Sequence, residues 1–485
     1  MSISTTLGNA LTGLAAASRG AQVISSNVAN ATTEGYARRE IELSARVTGG
    51  AGTGVQVDSV TRIVDENTLR ELRLAKSAVG FADEPAAFLK SVLDHIGQPD
   101  APSSLTAQVS GLEAALLAAT SRPESDARLN AAVDAAVGLA RKLNDVSDHV
   151  QTRRVDADRS IDLSVERLNT SLEQIAELNE QILRAQGSNR DNPSLLDSRQ
   201  RLIDEVSDLV PIRQLPRDNG TVALYTMNGA LLVDARPATF GFERTEPIIA
   251  DMTQASGALS GLTLNGEPIQ TAGDYSPIAG GRLSGLFQVR DEISVALQSD
   301  LDAMAHDLVS RFEDPTLDTT LTAGDPGLFT DRGSSLDLTN IVGLAGRISV
   351  NEAVLPAAGG AATRLRDGLG AGTPGPVGDA ALLEGLVDRL QDARPAVGGT
   401  LSPTSRSVSD LAGDVLSLVG QDLSSRNSRL SFEQGRLEGL QDAMLAQGVD
   451  TDQELQKLLL IEQAYAANAR VVQTADELLQ LLIGL

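Results

Sequence analysis

The chain has 485 residues, with 65 acidic and 40 basic side chains and a formal net charge of −25. An acidic excess of this size repels phosphate backbones, so we expect no nucleic-acid partner. Cysteine is absent, which excludes disulfides, thiolate nucleophiles and cysteine-based metal sites. Eight Phe, four Tyr and no Trp leave an apolar content of mainly Leu, Val and Ala, which is typical of helix seams.

Neither a secretory leader nor a membrane span is indicated. The first 18 residues carry no charge, so no basic region precedes an apolar stretch. Ser, Thr, Asn and Gly interrupt every apolar run well before the roughly 20 residues that a membrane helix needs. We expect no membrane insertion and, if the protein is exported, a route that cleaves nothing.

Both ends of the chain show apolar residues at alternating spacings of three and four, the pattern of a coiled-coil seam. The N-terminal seam contains Ile3, Leu7, Ala10, Leu14, Ala17, Ala21, Ile24 and Val28. The C-terminal seam contains Leu458, Ile461, Tyr465, Asn468, Val472, Ala475, Leu479 and Leu482. The pattern predicts coiled-coil segments over 1–30 and 455–485 that pair with each other and with neighbouring subunits. An ordinary amphipathic helix at each end is the alternative.

The first interior part, 31–216, is predicted to be a helical core domain that contains a β-hairpin. Its strands are expected at 38–47 and 55–64, around Gly49, Gly50, Gly52 and Gly54. Its clearest helix is expected over about 150–184. The heptad positions of that helix are Ile161, Val165, Leu168, Leu172, Ile175, Asn179 and Ile182.

Residues 217–280 are predicted to form an inserted β domain. The pairs Asn228-Gly229 and Asn265-Gly266 each lie between short apolar runs, and Asn-Gly favours the primed turns of hairpins. Residues 281–454 are expected to complete the helical core, with a helix over 286–312 and a Gly/Pro-rich segment at 313–400 that holds one helix near 380–390. The fold class is therefore mainly α with inserted β: long terminal helices, a helical bundle with a hairpin, and a small β-rich outer domain.

No catalytic, cofactor or metal site is predicted, so we expect no enzyme. His95, His149 and His306 lie far apart in helical patterns, and a metal site would need the fold to bring them together. The glycines at 370, 372 and 375 match a G-x-G-x-x-G string but follow no apolar strand, so we assign them to a loop. Asp156, Asp158 and Asp162 lack the glycine and final glutamate of a calcium loop.

Two terminal motifs resemble those of the bacterial flagellar axial proteins, which form the rod, the hook and the hook-associated zones. Asn27-Val28-Ala29-Asn30 with Thr33-Glu34-Gly35-Tyr36 is similar to their N-terminal signature, and Gln463-Ala464-Tyr465 with Thr474-Ala475-Asp476-Glu477 to their C-terminal one. The hypothetical assembly residues are those of the motifs and seams. They are Ile3, Leu7, Leu14, Ile24, Asn27, Asn30, Gly35, Tyr36, Leu458, Ile461, Tyr465, Val472, Leu479 and Leu482.

Interior motifs resemble the members of that family that join hook to filament. They are Leu178-Asn179, Leu195-Leu196-Asp197-Ser198-Arg199, Gly280-Gly281-Arg282-Leu283-Ser284-Gly285-Leu286 and Pro123-Glu124-Ser125. The resemblance implies a structural, extracellular subunit of the hook–filament junction that is needed for filament assembly. It also implies a homo-oligomeric helical ring, contacts with the hook protein and the filament-side junction protein, and export by a chaperone and the type III apparatus.

Other readings stay open at this point. The chain could be another axial subunit, such as the filament-side junction protein or the hook protein itself, although the motifs between 178 and 205 argue against both. A flagellum-associated cell-wall hydrolase would need a carboxylate pair in a cleft, and none is recognisable. A coiled-coil adaptor or adhesin with no flagellar role is the last alternative. For the first reading, we expect the terminal segments to be mobile in the monomer and to order on assembly.

Overall fold

The structure, a computed structural model, describes residues 3–33, 35–48, 51–187 and 192–483. Helices α1 to α11 span Ile3–Ala29, Glu66–Ile96, Leu105–Thr120, Asp126–Gly187, Pro193–Leu209, Arg282–Gln288, Ser294–Phe312, Arg364–Asp367, Ala381–Gln391, Val408–Ala446 and Thr451–Ile483. Strands β1 to β12 span Arg39–Thr48, Ala51–Arg62, Ile212–Pro216, Val222–Thr226, Leu231–Val233, Phe240–Gly241, Leu262–Leu264, Glu267–Ile269, Phe329–Asp331, Ile348–Val350, Arg394–Pro395 and Ser405–Arg406. The predicted class, mainly α with inserted β, is confirmed.

The long helix α4 connects the two hydrophobic cores of the molecule, because each of its halves packs in a different core. Its first half, up to Ala157, packs with α2, α3, α7, α9 and the first half of α10. Its second half, from Ile161, packs with α5, α6 and the sheets that follow α5. All seven predicted heptad positions of the 150–184 helix are buried, which confirms that seam.

Two buried arginines lie where the two cores meet. The Arg290 guanidinium donates to Asp158 Oδ1 at 2.6 Å, and both side chains are fully buried. Arg154 donates to the carbonyls of Arg290, Ile249 and Met252. Asp158 therefore belongs to an internal ion pair that joins α4 to the turn after α6.

The predicted hairpin is confirmed: β1 and β2 pair antiparallel, with register shifts after Glu42 and Ala45. Gly49 and Gly50 of its predicted turn lie outside the described residues. The predicted helix over 286–312 is also confirmed, as α6 and α7 joined by the π-helical turn Val289–Ile293. The predicted helix near 380–390 is α9, and the glycine string at 370–375 lies in a loop.

The first strand of the inserted β region, β3, begins at Ile212, five residues before the predicted start of that region at 217. The region forms two antiparallel three-stranded sheets, β3-β4-β5 and β6-β7-β8. Asn265 and Gly266 both have positive φ, as a primed turn requires. The same prediction was wrong at Asn228-Gly229: only Gly229 has positive φ, because four residues, 227–230, separate β4 from β5 where two separate β7 from β8.

The Gly/Pro-rich segment 313–400 packs into the first core instead of projecting from it. Phe329, Leu344, Val354 and Leu365 are all buried there. Their spacing follows neither a helical nor a strand period, since short strands and 3₁₀ turns place them. Periodicity in the sequence therefore gave no sign of this part of the core.

Candidate assembly site at the paired termini

The first and last helices lie side by side and antiparallel. A Cβ on Gly20 would stand 2.8 Å from Ile461 Cδ1, and one on Gly13 would stand 2.7 Å from Asn468 Nδ2. Seven residues after Gly20, Asn27 Nδ2 donates to Glu454 Oε2 at 2.8 Å. The three contacts recur every seven residues in both helices, as expected for a coiled-coil pair.

The line of closest approach runs through small residues of α1. Gly13, Gly20 and Asn27 each precede by one position the predicted seam residues Leu14, Ala21 and Val28. Glycine lets the backbones approach because it has no side chain to separate them. Three of the predicted seam residues, Ala10, Ala17 and Ile24, are buried, whereas Leu14, Ala21 and Val28 are half-buried and lie one position past the contact line.

A buried polar cluster lies at the end of this pair where α1 ends and α11 begins. Asn27 Nδ2 donates to the Arg39 carbonyl as well as to Glu454, while Asn27 Oδ1 accepts from the Arg39 backbone N–H and the Tyr36 hydroxyl, each at 2.9 Å. Glu454 is 2% exposed and lies 3.2 Å from Lys457 Nζ and 4.0 Å from Arg38 Nη1. Every hydrogen-bonding atom of the Asn27 amide is therefore used to join α1, β1 and α11.

The remaining motif residues shape the exit from α1. Asn30 Nδ2 donates to the Ser26 carbonyl, and Asn30 Oδ1 accepts from Thr33. Gly35 has a φ of 76°, and a Cβ there would clash with the side chain of Arg201. The Arg39 guanidinium lies 4.9 Å from the centre of the Tyr36 ring. The N-terminal motif thus turns the chain from α1 into the hairpin.

The predicted assembly residues of the two terminal helices differ in how deeply they are buried. Ile24 is buried and Tyr465 is 48% exposed, so Tyr465 does not join the inner face of the pair. The half-buried members are Ile3, Leu7, Leu14, Leu458, Ile461, Val472 and Leu479. The side chain of Leu482 lies outside the described residues. Glu454, Gly13 and Gly20 were missed as partners; their recurrence every seven residues was the available signal.

Exposed leucines lie on the outward side of α11 in two groups, one towards each end, with exposed polar residues such as Gln463, Arg470 and Glu477 between them. Leu455, Leu459, Leu460, Leu478 and Leu481 are all exposed. Their spacing places them away from Ile461 and Asn468, which face α1. The hairpin adds exposed Leu43 and Val47. Groups of exposed apolar side chains of this kind are typical of interaction surfaces.

Comparison with known proteins gives two family matches. The model described as the flagellar hook-associated protein FlgK helical domain matches residues 91–327, and that of the flagellar basal body rod FlgEFG protein C-terminal region matches residues 440–485. Flagellar hook-associated protein 1 of Bacillus subtilis (strain 168) is 23% identical over 495 residues, which cover 94% of this chain and 93% of that protein.

The chain belongs to the flagellar hook-associated protein FlgK family.

Hook-associated protein 1 of Escherichia coli (strain K12) is 28% identical over 246 residues, and that of Salmonella typhimurium (strain LT2) is 29% identical over 246 residues. Each of these two matches spans 49% of this chain and 44% of the relative, less than half of that protein's length. The hook junction protein FlgK of Burkholderia pseudomallei is a solved structure with a TM-score of 0.45 and 19% identity, covering 54% of this chain and 46% of that one. The predicted axial-protein resemblance is confirmed.

The interior motifs of the FlgK family here have internal, structural partners. Asp197 accepts from Arg39 at 2.7 Å and from Arg62 at 2.8 Å, which ties the hairpin to α5. Asn179 bonds both the N–H and the carbonyl of Val222, which ties α4 to β4. A Cβ on Gly281 would clash with the Leu209 carbonyl, so α6 can pack closely against the end of α5.

The fold brings two of the three histidines together, which the sequence did not indicate. The His95 and His149 rings stack with centroids 4.4 Å apart, and His149 Nε2 lies 2.8 Å from Ser91 Oγ. His306 is separate and buried in α7. Within 3–33, 35–48, 51–187 and 192–483, no group of three or more acidic or histidine side chains is arranged to hold a metal ion.

Burial, reinforced by the nearby His95 ring and the Arg153 guanidinium, lowers the pKa of His149 below its ordinary value of 6.5. The unfolded chain then binds a proton more tightly than the folded one, so stability falls as the pH drops from 6.5 through the lowered pKa. We expect His149→Gln to flatten this part of the pH–stability profile, measured by urea unfolding between about pH 5 and 8. An unchanged acid limb would contradict it.

Proposed function

We propose that this protein is a structural subunit of the hook–filament junction that polymerises through its paired termini. The observation that carries the proposal is the set of exposed leucines towards the two ends of α11, on a helix whose opposite face contacts α1. In the free chain these leucines lie in water. Burying them against neighbouring subunits supplies the hydrophobic driving force for a helical ring.

The finer partners belong to the same proposal. A homo-oligomeric ring would meet the hook protein on one side and the filament-side junction protein on the other. Export through the type III apparatus with a chaperone, without a cleaved signal, would place the subunit outside the cell at the flagellum. Among the described helices, none is both long and apolar enough to cross a membrane. Ordering of 1–30 and 455–485 only on assembly stays a prediction.

A single charge on the outward face tests the proposal. Leu459 is 59% exposed, so Leu459→Asp is expected to leave monomer unfolding unchanged. In the assembled ring the same carboxylate would be buried without a partner, at a cost of several kcal/mol. We expect cells that carry this variant to export the subunit, to build hooks, to lack filaments and to release flagellin into the medium.

Leu163→Asp is the matched control, because Leu163 is 58% exposed on α4 and lies far from the termini. It makes the same chemical change at the same exposure and is expected to support normal filaments. Electron microscopy of cells and thermal unfolding of both purified monomers give the comparison. Filaments on cells carrying Leu459→Asp would refute the assembly role of this face.

We also propose that the protein is not an enzyme. Its family consists of structural flagellar proteins. The carboxylates that lie deepest are held by arginines or backbone N–H groups, as Asp158 is by Arg290 and Asp302 by Gly343 and Ala345. We expect no turnover on purified peptidoglycan. A defined, saturable hydrolysis rate would count in favour of the cell-wall hydrolase reading.

A further inference from the structure

A cavity of about 630 Å³ lies between strand β2, the first turns of α2, the start of α5 and the sheet β3-β4. Its walls are unusually basic for a chain with a net charge of −25. The arginines that line it are Arg62, Arg70, Arg73, Arg199 and Arg217. Glu66 is the acidic residue among its lining residues in the described ranges.

The positive charge exceeds the negative charge even when ion pairs are counted. Asp197 is shared by Arg62 and Arg39, Asp204 pairs with Arg73, and Asp234 pairs with Arg217. Six arginines thus face four carboxylates, including Glu66, which leaves an excess of two positive charges. Within the described parts of the chain, no carboxylate lies within ion-pair distance of Arg70 or Arg199.

One cavity arginine has an unused donor. Arg73 is 5% exposed; its Nε donates to Asp204 Oδ1 and its Nη1 to Gln214 Oε1, both at 2.7 Å. Its Nη2 is buried and has no hydrogen-bond partner. A buried cationic N–H group without an acceptor is destabilising, and an anion in the cavity would satisfy it.

The start of α5 adds a second unsatisfied group. Asn192, the N-cap residue, makes no side-chain capping bond, and its Nδ2 is also buried without a partner. Asn192 and Pro193 both line the cavity, so the positive end of the α5 dipole lies beside it. Donors from α2 and α5 therefore converge from two sides.

Arg199 shows the electrostatic consequence of this crowding. Burial, with the Arg62 charge nearby, lowers the pKa of Arg199 to about 10. The group stays cationic at neutral pH, and the nearby Glu66 carboxylate opposes part of the shift. A bound anion would compensate the Arg199 charge.

We propose that this cavity binds a small oxyanion that carries two or more negative charges, of the polyphosphate or polycarboxylate class. Arg73 and Arg199 would hold its oxygens at the base, and the exposed Arg70 and Arg217 would close over it at the rim. Guanidinium groups suit both classes because their N–H groups match the spacing of carboxylate and phosphate oxygens.

Isothermal titration of the full chain with pyrophosphate and, separately, with citrate tests the proposal at ionic strength matched with sodium chloride. Saturable binding of either anion supports it, and the tighter of the two identifies the preferred class. The rim variant Arg70→Gln/Arg217→Gln is expected to weaken binding by about tenfold or more. The base arginines stay untouched because they hold the fold together.

The control variant is Arg46→Gln/Arg236→Gln, which removes two exposed arginines outside the cavity and keeps the net charge equal to that of the rim variant. It is expected to bind as the parent does. Arg70→Gln alone provides a milder test should the rim double variant unfold at a lower temperature. The proposal is overturned if neither anion binds more tightly than about 1 mM, or if both double variants lose affinity equally.

Discussion

Replacing Arg290 with alanine is expected to lower the free energy of unfolding by about 3–5 kcal/mol. The change leaves the Asp158 carboxylate buried, with the Thr245 backbone N–H still donating to its Oδ2. It also removes the Arg290 bond to the Ser260 carbonyl and its stacking, at 4.9 Å, over the Phe287 ring. The loss is large because a single side chain ties α4, the β insert and the turn after α6.

Urea unfolding followed by circular dichroism measures this effect, with Arg159→Ala as the control. Arg159 lies one residue after Asp158 but is about half exposed, and its ion pairs with Asp156 and Glu246 are 4.0 and 3.8 Å long. Its removal is expected to change stability by no more than about 1 kcal/mol. Equal losses in the two variants would show that the buried pair does not stabilise the junction of the cores.

The second large effect is expected at the terminal pair, where Gly20→Leu should force α1 away from α11. A Cβ at this position already stands 2.8 Å from Ile461 Cδ1, so a leucine side chain fits only if Ile461 turns away from α1. Overpacking of this kind costs about 1–3 kcal/mol. In the assembled protein, amide exchange across α11 is therefore expected to accelerate by about fivefold to a hundredfold, while exchange in α4 stays unchanged.

Gly8→Leu is the matched control, since it makes the same change in the same helix where a Cβ would have nothing within 4 Å. It is expected to stabilise α1 slightly, because leucine is a better helix former than glycine by about 0.5–1 kcal/mol. If Gly8→Leu and Gly20→Leu speed exchange alike, the close approach at Gly20 does not hold the pair together.

The sequence predicted those parts of the fold whose signal is periodic and local. The 150–184 seam reflects a face that must be buried, so the pattern and the structure agree. The alternation in β1 correctly marked a strand, although Leu43 and Val47 of its apolar face are exposed. The terminal helices were found for the same reason. Their exact contact line was not, because Gly13 and Gly20 contribute by being small and carry no apolar signal of their own.

Long-range polar partners were beyond sequence reasoning. Asp158 and Arg290 are 132 residues apart, and each alone reads as a charge on an amphipathic helix. The stacked pair His95 and His149 is hidden in the same way. The cavity arginines come from segments around 62, 70, 199 and 217, and only folding brings them to one place. Motifs taken from related proteins marked Asn179, Asp197 and Arg199 without revealing what they bind.

The polar cluster at Asn27 has a consequence for the order in which the chain folds. Asn27 and Glu454 are 427 residues apart, a separation that would make their meeting slow in an unfolded chain. Helices α2 and α10, which lead to these two residues, pack against each other, with Arg436 Nη2 2.7 Å from Glu71 Oε2. Once they have met, only the hairpin segment and the link 447–450 separate the cluster's two halves. We therefore expect the termini to pair last, because contact between α2 and α10 shortens the loop that must close.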